Sequence, residues 1–160
     1  RDKVLTRSTK KENCQMDRIY VCVTADLLHP GHLSFFEKAK FFGSTLVVGV
    51  CSDEDVSSYK RKPILNLVER SLMVSACSIV DEVISPAPAI TTKALIEKLA
   101  IDLVVATAGY SETTLEQYYC GPKSMGILKL VPYDTTISTT QIINKCYDRY
   151  VECDGQLGSL

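Results

Sequence analysis

Five short apolar runs rich in β-branched residues recur along the chain: "RIYVCVT" (18–24), "TLVVGVC" (45–51), "VDEVIS" (80–85), "IDLVVAT" (101–107) and "GILKLV" (126–131). Each reads as a strand, and the stretches between them carry helical spacing. From His32 onward, Leu33, Phe35, Phe36, Ala39 and Phe42 share one broad apolar face. "LNLVERSLMVSACS" (65–78) repeats that logic with Leu67, Leu72 and Val74 among its apolar positions, and "TTKALIEKLA" (91–100) opens on a threonine suited to capping a helix. "STTQIINKCYDRY" (138–150) closes the series, with Ile142, Ile143, Cys146, Tyr147 and Tyr150 expected as its buried stripe. Strands alternating with helices predict an α/β domain built on a doubly wound, mostly parallel five-stranded sheet with helices on both faces. In such sheets ligands bind outside the carboxyl ends of the strands, at the topological switch point.

A chain of 160 residues, 46% hydrophobic and 23% charged, suits one domain with a sizeable core. The expected domain covers 17–150. Residues 1–16, polar and mostly basic, read as a flexible tail or linker, and 151–160 as a loose C-terminal tail. The chain does not begin with Met, which suits a piece of a longer multidomain protein. A net charge of −1 gives no general electrostatic case for nucleic acid or an acidic membrane. No apolar run approaches the roughly 20 residues a bilayer demands, and no signal-peptide pattern opens the chain. Seven cysteines without C-x-x-C spacing, several inside apolar runs, read as buried free thiols in a reducing, cytoplasmic setting. Neither histidine has a cysteine close by in sequence, which argues against zinc.

The chemistry concentrates at "DLLHPGH", where the chain's only histidines, His29 and His32, bracket Pro30 and Gly31 as the first strand gives way to a helix. Proline suits a first helical turn, glycine admits close backbone approach, and the first helical amides form an anion site. The helix dipole disfavours imidazolium, so both rings are expected as neutral N–H donors able to stabilise charge on a phosphorus undergoing in-line displacement. The bland alternative is one capping residue and one surface residue. "SYKRKPILNLVER" gathers Lys60, Arg61 and Lys62 and then Arg70, either a solvated face or a set of cations for two phosphate-bearing anions. Ser138, Thr139 and Thr140 open the last helix, as ordinary caps or as hydroxyl and amide donors to a polyphosphate. Asp26 ties the histidine loop by hydrogen bonding or helps a metal, with scaffolding the favoured reading.

H-P-G-H after a strand resembles the H-x-G-H motif of the nucleotidyltransferase superfamily. The chain is similar, from about Ile19 to Tyr147, to the cytidylyltransferases acting on phosphocholine, phosphoethanolamine, glycerol 3-phosphate and related phosphonates. "VGVCSDE", "YKRKPILNLVERSLMVSAC", "VDEVISPAP" and "ISTTQII" carry the resemblance in the family's order. It implies a small Rossmann-like fold, usually homodimeric, that joins CTP to a phosphorylated alcohol and releases pyrophosphate with Mg²⁺. It implies that His29 and His32 contact the triphosphate, that Lys60 is the catalytic lysine, and that Arg70, ending the N-x-x-E-R motif, bridges the two anions. Lys62 is a second contact, and Arg61 is left out of the site. Thr24, Ala25, Asp26, Gly31, Ala106, Tyr110, Ile137, Ser138, Thr139 and Thr140 complete the expected nucleotide-binding set, with no protein metal ligand assigned.

Several positions depart from the family's pattern. Tyr133, Asp134, Thr135 and Thr136 stand where relatives often have arginine, threonine, glutamate and glycine; Ala108, Gly109 and Tyr110 replace an acidic pair and aromatic. Ala89 follows Ala87-Pro88 where phosphocholine enzymes have tryptophan, which favours phosphoethanolamine or 2-aminoethylphosphonate over phosphocholine. Tyr110, Tyr118 and Tyr119 would form a partial aromatic wall or belong to the core. The alternatives are an adenylyltransferase of the heptose-phosphate type and a non-catalytic nucleotide-binding domain, for which the absent arginine and acidic pair are the motive.

Overall fold

The computed structural model describes residues 16–132, 134 and 136–153. The expected tail at 1–15 and the last residues, 154–160, lie outside the described residues. Strand β1 (Met16–Val23) leads into α1 (Pro30–Lys40), β2 (Gly43–Cys51), the short α2 (Asp53–Ser57), α3 (Leu67–Ser75) and β3 (Glu82–Ala87). The second half adds α4 (Lys93–Lys98), β4 (Leu103–Thr107), α5 (Glu112–Tyr118), α6 (Cys120–Ser124), β5 (Leu128–Val131) and α7 (Thr139–Glu152). Among the described residues the last helix runs two residues past the expected boundary at 150.

All five strands are parallel, in the order β3-β2-β1-β4-β5. The order reverses between β1 and β4, so the switch point lies at the carboxyl end of β1. Parallel strands buried on both faces explain why the apolar runs show no alternation. Ile19 and Val21 of β1 pack with Leu46, Val48 and Val50 of β2 against Phe36 and Ala39 of α1 and Val74 of α3. Tyr20, the residue between them, faces the other way, with Val47 and Val104 against Ile96 of α4 and Leu115 of α5. β3 is an edge strand whose residues, Ala87 apart, are all at least partly exposed.

One expected buried face is exposed, and another is buried only in part, with Val74 and Leu67 on the core. None of the described residues of α7 is buried, and Tyr147 is 66% exposed. In α3 it is Val74 and Arg70 that are buried, while Leu72 is 64% exposed. Amphipathic spacing marks a face able to be covered, and only a neighbouring element decides whether it is. The expectation of buried thiols also needs correction: Cys51 is buried, Cys22 and Cys77 are partly so, and Cys120, Cys146 and Cys153 are exposed.

Gly49 lets β2 cross the Tyr20 ring. A Cβ there would lie 2.8 Å from the ring carbon bearing the hydroxyl and 2.9 Å from the Ala87 Cβ. Tyr20 is fully buried and has nowhere to move. Gly49→Ala is therefore expected to lower stability by about 2 kcal/mol, an overpacking cost, read from urea unfolding midpoints.

Candidate active site

Beyond β1 the backbone turns sharply, with Ala25 and Leu27 at positive φ (55° and 47°). His29 is the N-cap of α1, with Pro30 in the first turn. The two histidines form a reciprocal capping box. His29 Nδ1 accepts from the Gly31 N–H at 3.1 Å, and the His29 N–H donates to His32 Nδ1 at 3.3 Å. A ring nitrogen that accepts carries no proton, so each neutral imidazole keeps its hydrogen on Nε2. The rings lie 4.0 Å apart, and both line the cavity described below. Capping and ligand binding are not exclusive alternatives here: Nδ1 does the capping, and Nε2–H takes no part in it.

Burial lowers the pKa of both rings. In His29 the Asp134 carboxylate opposes the shift. His32 is lowered to about 4 by burial and then by the proximity of His29, with Asp26 opposing. Both are uncharged at neutral pH, as the helix-dipole argument required.

Gly31 is needed for close approach. A Cβ there would meet the His29 ring at 3.0 Å and the Ile137 carbonyl at 3.2 Å. Ile137 thus approaches the turn through its backbone and does not line the cavity.

Asp26 joins three segments. Its buried carboxylate accepts from the Ile64 N–H at 3.1 Å and the Leu65 N–H at 3.0 Å, and its carbonyl accepts from the Thr139 hydroxyl at 2.9 Å. The histidine turn, the loop after Lys60 and the start of α7 are held together by one residue. These bonds are those of a scaffold residue, and Asp26 also lines the cavity described below.

Arg70 is placed differently from the expectation. Its side chain is fully buried; it donates to the carbonyls of Thr24, of Cys51 (2.8 Å) and of Leu65 (3.1 Å), and pairs with Asp53 at 2.5 Å. With its donors so engaged it does not line the cavity. Thr24 and Cys51 sit at the carboxyl ends of β1 and β2, where carbonyls have lost their sheet partners. The guanidinium supplies that missing pairing, and in return it holds the Asp53 carboxyl below its ordinary value.

The cavity measures about 880 Å³ and opens at the carboxyl edge of the sheet. Thr24, Asp26, Gly31, Tyr110 and the residues Ser138, Thr139 and Thr140 line it, as expected. Ser138 caps α7 by accepting from the Gln141 N–H at 3.2 Å, so the first amides of that helix lie beside the histidine turn through the Thr139–Asp26 bond. Lys60 lines the wall, with its ammonium 5.9 Å from the Tyr59 ring centre. Two assignments exchange: Arg61 lines the cavity and Lys62 does not, its charge acting on Asp53 instead. Ala25 and Ala106 are buried in the core behind the wall, and Thr107 takes the lining position.

Sequence reading missed Tyr59, Cys22 and Cys51. Tyr59 meets Tyr118 at 5.3 Å between ring centres, and Tyr110 meets Tyr119 at 6.0 Å, so the tyrosine wall exists and includes a fourth ring. The Cys22 and Cys51 sulfurs lie 3.2 Å apart. Either thiol can donate in this contact, and the pairing lowers the pKa of Cys51 and raises that of Cys22. Adjacency to Lys60 was the one available signal for Tyr59; nothing in the sequence paired the cysteines. Among the described residues no group of three or more His, Cys, Asp or Glu could hold a metal ion. The carboxylates nearest the histidines are already engaged, Asp26 as above and Asp134 by Thr136 at 2.6 Å.

The family model for cytidylyltransferase-like proteins matches residues 20–145. The chain belongs to the cytidylyltransferase-like family. It is 38% identical over 133 residues to an ethanolamine-phosphate cytidylyltransferase of Arabidopsis thaliana, covering 79% of this chain and 32% of that protein. The corresponding Dictyostelium discoideum enzyme is 34% identical over 145 residues, with 86% and 40% covered. Choline-phosphate cytidylyltransferase 2 of Arabidopsis thaliana is 36% identical, with 84% and 47% covered. The chain thus spans about a third to a half of these relatives' length. A solved lipopolysaccharide core biosynthesis protein from Thermoplasma volcanium superposes with a TM-score of 0.59 at 23% identity, over 74% of this chain and 97% of that one, which bears on the fold alone. No helix among the described residues is long and apolar enough to cross a membrane.

Two outcomes follow from these placements. The unfolded chain takes up protons near the ordinary histidine value of about 6.5, and His32 only near 4. The stability tied to neutral His32 is complete above about pH 6.5 and is lost as pH falls towards 4. Urea unfolding at stepped pH should show that decline, with His32→Asn flattening it. Arg70→Met, which leaves Asp53 and three carbonyls without their donor, should cost about 3 kcal/mol or more in the same assay.

Proposed function

We propose that this domain transfers CMP from CTP to a small phosphorylated alcohol, with phosphoethanolamine the favoured acceptor, and releases pyrophosphate. The observation that carries the reading is two neutral imidazoles, each with its Nε2–H free, facing one cavity with Lys60 and the start of α7. An acceptor phosphate oxygen attacks the α-phosphorus of CTP and forms the new P–O bond. The bond to the bridging oxygen breaks in line, and its electron pair leaves with pyrophosphate. His29 and His32 donate hydrogen bonds to the transferring phosphoryl and its bridging oxygen, where charge grows, and neither needs to exchange a proton. Lys60, helped by Arg61, offsets the repulsion between the two anions. The amides and hydroxyls of Ser138, Thr139 and Thr140 hold the departing pyrophosphate. Mg²⁺ belongs to this reading as an ion carried in by the triphosphate.

The acceptor end favours a compact head group. Ala89 lines the cavity where a tryptophan would complete an aromatic cage, and Tyr59, Tyr110, Tyr118 and Tyr119 supply the aromatic surface. The ethanolamine-phosphate relatives support the same choice, and 2-aminoethylphosphonate is the second acceptor to try. A homodimer and a cytoplasmic setting form part of the reading. Exposed Val68, Leu72 and Met73 on α3 offer apolar surface for the first, and the free cysteines suit the second.

The test is pyrophosphate release with CTP or ATP against phosphoethanolamine, phosphocholine and 2-aminoethylphosphonate. Turnover should need CTP and be fastest with phosphoethanolamine. His29→Ala and His32→Ala should each lower kcat by about 10²–10³, the cost of losing one preorganised donor to the transition state. Near-normal turnover in both variants, or turnover with ATP alone, would overturn the reading. Nucleotide binding without turnover on any acceptor would favour the non-catalytic alternative, for which the absent arginine is the motive.

A further inference from the structure

Lys60 stands on the cavity wall without a carboxylate partner. The ion pairs among the described residues do not include it. Asp26, the one carboxylate lining the cavity among those residues, already accepts from the Ile64 and Leu65 amides. The Lys60 backbone is nevertheless fixed. The Tyr59 and Lys60 N–H groups both donate to the carbonyl of buried Val56, at 3.2 and 2.9 Å, so the two side chains leave from one turn at the end of α2. From there the Lys60 ammonium lies over the Tyr59 ring, 5.9 Å from its centre. Its charge also reaches His32, adding to the lowering that burial and His29 impose on that ring.

Tyr59 is itself held in place, against Tyr118 at 5.3 Å between ring centres and a tilt of 53°. Burial pushes its phenol pKa well up, so the hydroxyl keeps its proton and no phenolate forms to pair with the ammonium. What the ring offers is the negative face of its π-system. That attraction is weak, and weakness suits the task. A carboxylate would grip the ammonium by a charge-assisted bond and cancel its charge. A neutral ring narrows the wandering of a long, flexible stem and leaves the charge whole for an incoming anion.

We propose that Tyr59 is a positioning residue for Lys60: its neutral ring parks the ammonium at the cavity wall until a phosphate draws it off. The use made of Lys60 rests on the cytidylyl-transfer reading, whereas the contact itself does not, and the two are tested apart.

In protein carrying isotope-labelled lysine, the Lys60 ε signals are read by NMR and assigned by their loss in Lys60→Met. Nuclear Overhauser contacts should join them to the Tyr59 ring in the wild-type chain, and their absence would overturn the proposal without any variant having to fold. The signals should lie upfield of the other lysines, keep that shift in Tyr59→Phe and lose it in Tyr59→Leu. The remaining lysine signals, unmoved, show that each variant is folded. Inorganic pyrophosphate should move the wild-type Lys60 signals off the ring-shifted position; if they stay, the release step is wrong. In turnover, Tyr59→Leu should lower kcat about two- to fivefold, the worth of one such contact, and Tyr59→Phe should restore it. The loss should vanish in a Lys60→Met background. An equal loss with and without Lys60 would make Tyr59 a packing residue and end the proposal. No turnover in the wild-type chain would count against the cytidylyl-transfer reading alone, since the NMR measurement needs none.

Discussion

At the carboxyl edge of a parallel sheet the strands run out before their carbonyls have partners, and here one buried guanidinium answers for two of them. Arg70 reaches the last carbonyls of the β1 and β2 region and the loop carbonyl of Leu65, balanced by Asp53. A buried charge is tolerated only when its donors and its counter-charge are all provided, which fixes where each of those segments can lie. Asp26 works from the other side. With its carboxylate on the Ile64 and Leu65 amides and its carbonyl on Thr139, it sets the histidine turn, the lysine loop and the last helix against one another. The cavity is the space these two residues leave between the loops.

The histidine turn shows how the same atoms serve fold and chemistry. Each ring spends Nδ1 on a backbone N–H of the helix start, and that bond dictates which nitrogen keeps the proton. Burial then keeps both rings uncharged. A neutral donor positioned by a cap needs no rearrangement when charge develops beside it, the condition under which a hydrogen bond lowers a barrier most. The basic side chains work by another rule. Lys60 and Arg61 stand on the cavity wall, so their charge stays available to a mobile anion, while Arg70 has surrendered its donors to the backbone.

Much of this was open to inspection in the linear chain. Unbroken apolar runs marked strands buried on both faces, and turn chemistry at Pro30 and Gly31 marked a helix start aimed at an anion. His29 and His32 were placed at that edge by strand–turn–helix order, and Lys60, Ser138, Thr139 and Thr140 by the family resemblance; all six line the cavity. The misses share a cause. An arginine on an amphipathic helix reads alike whether it meets a substrate or three carbonyls and a carboxylate of its own chain, and Arg61 and Lys62 are neighbours in a loop that has no period to separate them. The apolar stripe of α7 and the exposed Leu72 of α3 were assigned to a core that does not reach them.

By itself, then, the sequence determined the α/β class, the parallel sheet and the sheet edge that carries the cavity, because these follow from local periodicity and turn geometry. Tertiary structure alone decided which cations face the cavity, which carboxylate is scaffolding and which thiols meet. Those outcomes depend on strand register and on how buried donors find acceptors across tens of residues. Cys22 and Cys51 are adjacent only because β1 and β2 pair in one register. A shift of one residue would turn every side chain of one strand to the opposite face.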